Sequence, residues 1–170
     1  MGKIRRDGYM KIRSVHLNNR KKAFEVKTST RVFSFPFVKA DPQPTPRDGV
    51  VRAFADEELA REAFTYVLES GREGTVHVEQ VLEYNQDPAY LRDLLLYKLT
   101  IEAQRRVETS ALSKREIIRR LGTSATQFYR LIDQTNYRKS VDQLLSLLHI
   151  LDCDVDLVVK TRSVARGKAA

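Results

Sequence analysis

Three histidines and a single cysteine are the side chains of this 170-residue chain best suited to bond-making chemistry. His16, His77 and His149 lie in different stretches, at none of the spacings by which histidines on one helix hold a metal. His149 sits among leucines and reads as a buried or boundary residue. Cys153 has no obvious basic activator and reads as a small core residue. Being alone, it also excludes an intrachain disulfide framework, which fits a reducing cytoplasm. Asp56, Glu57 and Glu58 are adjacent and read as a solvated turn. No phosphate-cradling loop, nucleophile elbow or dinucleotide fingerprint occurs, because Gly71 and Gly74 lack the spacing and the following helix. The expectation is a chain that is not an enzyme and needs neither metal nor cofactor.

A different chemistry is available between Ala125 and Arg130. Gln127 carries an amide, Arg130 a guanidinium, Tyr129 a phenol, Thr126 a hydroxyl with a methyl, and Ala125 a bare methyl. Such groups recognise base edges: Gln pairs bidentately with adenine, Arg with guanine, and small methyls meet the thymine methyl. They can do so only if the element that carries them turns them outward.

The surrounding sequence supplies that element. Ser113 with Glu116 three residues on forms a capping box that starts a helix, with Ile117, Ile118 and Leu121 as its apolar stripe. Gly122 can take the left-handed conformation that ends it. Only Thr123 separates this glycine from Ser124, the N-cap of a second helix whose inward positions are Phe128, Leu131 and Ile132. Two short helices joined so tightly must cross steeply. Ser140 caps a third helix rich in leucine, from Leu144 to Leu151, and the alternation in Asp154–Val159 predicts a terminal strand. Upstream, Asp87-Pro88 opens a helix expected to run to about Glu108.

The segment 93–159 resembles the helix-turn-helix of the λ-repressor-like (Xre-type) family of bacterial DNA-binding proteins. The matching features are Leu112-Ser113, Leu121-Gly122, Ser124, the apolar Phe128 and Leu131, and the leucine-rich closing helix ending in Leu151-Asp152-Cys153-Asp154-Val155. It departs from the family pattern at Ile118, where a small residue is usual, at Asp133, where the acidic residue is displaced, and in the loop 134–139, which lacks the usual glycine. In this architecture the second helix of the pair enters the major groove and the first lies across the phosphates. Ala125, Thr126, Gln127, Tyr129 and Arg130 are then the base-reading residues. Lys114, Arg115, Ser124, Tyr137, Arg138 and Lys139 are the phosphate-binding ones, which position without specifying.

Charge is segregated along the chain. Residues 1–22 hold eight Lys/Arg and one Asp, residues 41–91 are net −7, and residues 93–139 are net +5, within an overall charge of +8. The acidic middle is unsuited to DNA. Before it, Val15 and Leu17, Phe24 and Val26, then Phe33, Phe35 and Phe37 recur at every second residue, the period of half-buried strands. Pro42, Pro44 and Pro46 make an extended loop. Residues from about Glu62 to Tyr84 read as a hairpin turning at Gly71–Gly74. This part resembles a small bacterial sheet domain of unassigned role found fused to such helix-turn-helix segments.

The expected fold class is α+β: an N-terminal small antiparallel sheet domain over 10–87, then an all-α λ-repressor-like domain over 88–160 with a short terminal strand. Residues 1–9 and 161–170 are expected to be flexible basic termini. No apolar run approaches the about 20 residues of a membrane span, so a cytoplasmic chain without membrane contact is expected. The partners expected are double-stranded DNA and a second copy, since so small a reading head needs two-fold duplication. The function expected is bacterial transcription regulation. Two other readings stay open: an antitoxin-like autoregulator whose N-terminal domain binds a protein partner, and a helix-turn-helix serving as a protein or RNA interaction module.

Overall fold

The computed structural model describes residues 11–161. The expectation of flexible termini at 1–9 and beyond Thr161 lies outside the described residues. The chain divides into two compact units, 1–97 and 98–170, with the division falling inside a helix.

In the first unit, β1 (Ile12–Asn18), β2 (Ala23–Thr28) and β3 (Val32–Pro36) form an antiparallel sheet in that order. The two-residue period sets its register: Val15 faces Val26, Leu17 faces Phe24, and Phe24 in turn faces Phe35. A second antiparallel sheet is built from β4 (Val50–Ala55), β5 (Ala63–Leu68) and β6 (Glu73–His77). Phe24, fully buried, joins the two sheets in one core: its ring lies 4.8 Å from that of Phe37, 4.9 Å from Phe64 and 5.0 Å from Tyr66. Such offset and edge-on contacts suit the aromatic quadrupole. The Tyr66 hydroxyl donates to the Pro42 carbonyl at 2.6 Å, so the proline loop is tied to the same core.

Helix α1 (Val78–Tyr84) follows β6 directly, and α2 (Pro88–Thr109) follows α1. The Asp87 carboxylate accepts from the Tyr90 amide at 3.0 Å and meets the Arg31 guanidinium at 3.3 Å, which caps α2 and ties its start to the β2–β3 turn. Beyond the division lie α3 (Lys114–Leu121), α4 (Ala125–Leu131) and α5 (Val141–Ile150). No helix of the described residues is long and apolar enough to cross a membrane.

The expected fold class is overturned: the chain is not one N-terminal sheet followed by an all-α domain. There are two three-stranded sheets, and α1 together with the first turns of α2 belongs to the same unit as the sheets. Three features account for the difference. Val50–Ala55 pairs with the next strand, β5, across the turn 56–62, a partnership that its own residues do not announce. The stretch expected to continue as a strand to Tyr84 turns helical at Val78, because the Gln80 side chain accepts the His77 amide at 2.9 Å and Val78, Val81 and Leu82 form a buried helical stripe. The expected terminal strand at Asp154–Val159 is absent: that segment is exposed and without regular structure, and no described strand pairs with it.

Candidate nucleic-acid interface

The turn that sets α3 against α4 is built from local chemistry. The Ser113 hydroxyl accepts the Glu116 amide at 3.2 Å, opening α3. At its other end Gly122 takes φ 66° and ψ 33°, left-handed values that cost a residue with a Cβ but not glycine. The Ser124 hydroxyl then accepts the Gln127 amide at 3.2 Å and opens α4. Between the helices Ile117 and Phe128 are both fully buried, as are Leu144, Leu147 and nearly all of Leu148 on α5.

With Phe128 and Leu131 turned inward, α4 presents Ala125, Thr126, Gln127, Tyr129 and Arg130 outward; all five are exposed. Tyr129 is 52% exposed yet its ring stands edge-on to Phe128 at 5.5 Å, which holds the phenol beside the helix while leaving its hydroxyl to solvent. The face thus carries one amide, one guanidinium, two hydroxyls and a methyl on about two turns.

Lys114 and Arg115 are exposed on the first turn of α3. Arg119 and Arg120 are engaged elsewhere: Arg119 donates to Glu116 at 2.6 and 2.9 Å, and Arg120 at 2.9 Å. The two guanidiniums hold the Glu116 carboxyl down to about 2, the hydrogen bond from Arg119 acting most strongly. Arg138 is exposed in the loop after α4, Tyr137 is half-buried there, and Ser124 already spends its hydroxyl on the helix cap.

Lys139 is a correction. Expected to meet phosphate, its ammonium instead points inward, donating to the Thr100 hydroxyl at 2.8 Å, to the Leu131 carbonyl at 2.9 Å and to the Asp133 carbonyl. Burial lowers this ammonium to about 8, against the opposing charge of Asp133. The reason is geometric: the last carbonyls of a helix lack intrahelical amide partners, and the four-carbon stem of Lys139 can reach that of Leu131 from the loop. Gln104 on α2 does the same for the Ile132 carbonyl at 2.7 Å.

The loop that lacks a glycine closes through its side chains. Asp133 accepts from the Thr135 amide at 2.9 Å and hydroxyl at 2.8 Å, Asn136 donates to the Arg130 carbonyl at 3.0 Å and accepts the Arg138 amide at 3.0 Å. These residues, with Thr100 and Gln104, fix the far end of α4 and were missed in the sequence. The partners of Thr100 and Gln104 lie 39 and 28 residues along the chain, too far for a local motif, and only the Asp/Asn/Thr content of the loop hints at its own bonds.

His149, expected to be buried or at a boundary, is exposed on α5. Among the described residues no group of three His, Cys, Asp or Glu side chains is arranged to hold a metal ion. The site can therefore offer outward hydrogen bonds, stacking and positive charge. Compared with protein-family models, with curated proteins and with solved structures, the chain shows no match.

Proposed function

We propose that the α3–α4 pair reads double-stranded DNA, and that the chain is a sequence-specific DNA-binding protein of the λ-repressor-like (Xre-type) kind that regulates bacterial transcription as a homodimer. The observation that carries this reading is the division of α4 into two faces, Phe128 and Leu131 buried against Ala125, Thr126, Gln127, Tyr129 and Arg130 exposed. Behind it stands the tight turn at Gly122–Ser124, where a left-handed glycine ends α3 and the Ser124 cap opens α4.

On this reading α4 lies in the major groove, where Gln127 and Arg130 hydrogen-bond base edges and Ala125 and Thr126 make apolar contact. Lys114, Arg115 and Arg138 meet phosphates and set the register. Lys139 works from within, holding the end of α4 so that its face is presented in one orientation. Residues 41–91, at net −7, are repelled by the phosphates and stay clear of the duplex. A cytoplasmic location belongs to the same proposal.

The test is the salt dependence of affinity for a mixed-sequence duplex. Log affinity falls linearly with log salt, and replacing Lys114 or Arg115 by alanine flattens the slope by roughly one for each phosphate no longer neutralised. A folded protein whose duplex binding is absent at low salt overturns the reading.

A further inference from the structure

We propose that Asp154–Lys160 is a dimerisation strand that pairs antiparallel with the same segment of a second copy of this chain. This rests on the homodimeric part of the reading above and names the surface that makes it.

The segment leaves α5 through a fixed exit. The Cys153 amide donates to the Leu148 carbonyl at 3.0 Å and the Asp152 amide to the His149 carbonyl at 3.1 Å, with Asp152 itself at φ 55°. Beyond this exit residues 154–160 carry no regular structure and are exposed. Its apolar side chains are among the most exposed of the described residues: Leu157 is 83% exposed, Val158 73% and Val159 85%. A run of β-branched and leucine side chains left this open, on backbone whose donors and acceptors face no described strand, is a template for strand addition.

The sequence of the segment selects its own copy as the occupant. In an extended chain Val155, Leu157 and Val159 share one face, while Asp154, Asp156, Val158 and Lys160 share the other. Placing a two-fold axis at Leu157 sets Val155 across from Val159, Asp154 across from Lys160 and Asp156 across from Val158, each twice. One face of the ribbon is then wholly apolar, and both of its ends carry an acid opposite a base. Other registers are worse. An axis at Asp156 brings the two Asp156 carboxylates face to face. An axis at Val158 pairs Asp156 with Lys160 but puts Thr161 across from Val155, breaking the apolar face.

Because these side chains are exposed, they can be replaced without disturbing a core. The experiment is sedimentation equilibrium of the full chain at micromolar concentration, with circular dichroism to confirm that each variant is folded. The wild type is expected to be a dimer and Leu157→Asp, which sets two carboxylates face to face across the axis, a monomer. Asp154→Lys weakens the dimer at least tenfold, and Asp154→Lys with Lys160→Asp restores it. A monomeric wild type, a dimer indifferent to Leu157→Asp, or an exchange that does not restore pairing overturns the proposal. Rescue by exchanging Asp156 with Lys160 instead overturns the register. Binding of each variant to a mixed-sequence duplex separates this proposal from the one it rests on. A wild-type dimer without duplex binding defeats the DNA reading and leaves the strand pairing standing, whereas a wild-type monomer that binds duplex does the reverse.

Discussion

The ammonium of Lys139 donates to the hydroxyl of Thr100 at 2.8 Å, although the two residues are 39 positions apart in the chain. The same ammonium donates to the carbonyls of Leu131 and Asp133, so one half-buried cation joins α2 to the end of α4. The outward face of α4 has a fixed direction in this unit because its far end is fastened.

Replacing Lys139 by methionine keeps the stem and removes the three donors. Stability is expected to fall by about 1–3 kcal/mol, the range for hydrogen bonds to a charged group and for acceptors left without partners. Denaturant titration measures this. The slope of log DNA affinity against log salt is expected to stay as in the wild type, because this cation meets no phosphate. A flattened slope with unchanged stability would return Lys139 to the phosphate-binding set.

Glu116 ties the pH response of α3 to its two arginines. Its carboxyl sits near 2 in the folded chain against an ordinary value of 4.5, so the folded state holds the proton less readily than the unfolded one. The stabilisation this represents is complete above about pH 4.5 and disappears as pH falls toward about 2. The denaturation midpoints of wild type and Glu116→Gln are therefore expected to differ by a constant small amount near neutrality and to converge in acid. A gap that stays constant down to about pH 2 contradicts the ion-pair origin.

Gly74 lies in β6 opposite Tyr66, and a Cβ there would run into the phenol ring. Tyr66 is fully buried and its hydroxyl is held by Pro42, so the ring has nowhere to retreat. Gly74→Ala is expected to destabilise the first unit by about 1–3 kcal/mol, as overpacking does. Near-ultraviolet circular dichroism should report the disturbed tyrosine. Substituting Gly71 to alanine gives a contrast: it meets open space, and the strain there comes only from its φ of 83°.

The helices that carry the candidate site were legible because their signals are local. Ser113, Ser124 and Ser140 each accept the amide three residues on, and Gly122 is left-handed where the spacing asked for a helix end. Phe128 and Leu131 turn inward for the reason their spacing gave. What failed had no signal in the residues' own types and spacing. Strand β4 exists through its pairing with β5, and the period-two signal of Val76 and Val78 could not say that Val78 opens a helix. Lys139 looks in sequence like one more basic residue after α4, and nothing near it betrays Thr100. The alternation in Asp154–Val159 is strand-like, but a strand needs a neighbour, and no described strand supplies one.

The most direct test of the DNA-reading claim is selection from a random double-stranded pool, followed by sequencing, with wild type and Gln127→Ala compared at moderate salt. The account predicts an enriched two-fold symmetric motif for the wild type. In the variant that preference should be lost or relaxed at the adenine-containing positions, while salt-sensitive binding to any duplex persists. No enrichment by folded wild-type protein, or the same motif at the same strength from Gln127→Ala, would contradict base reading through α4.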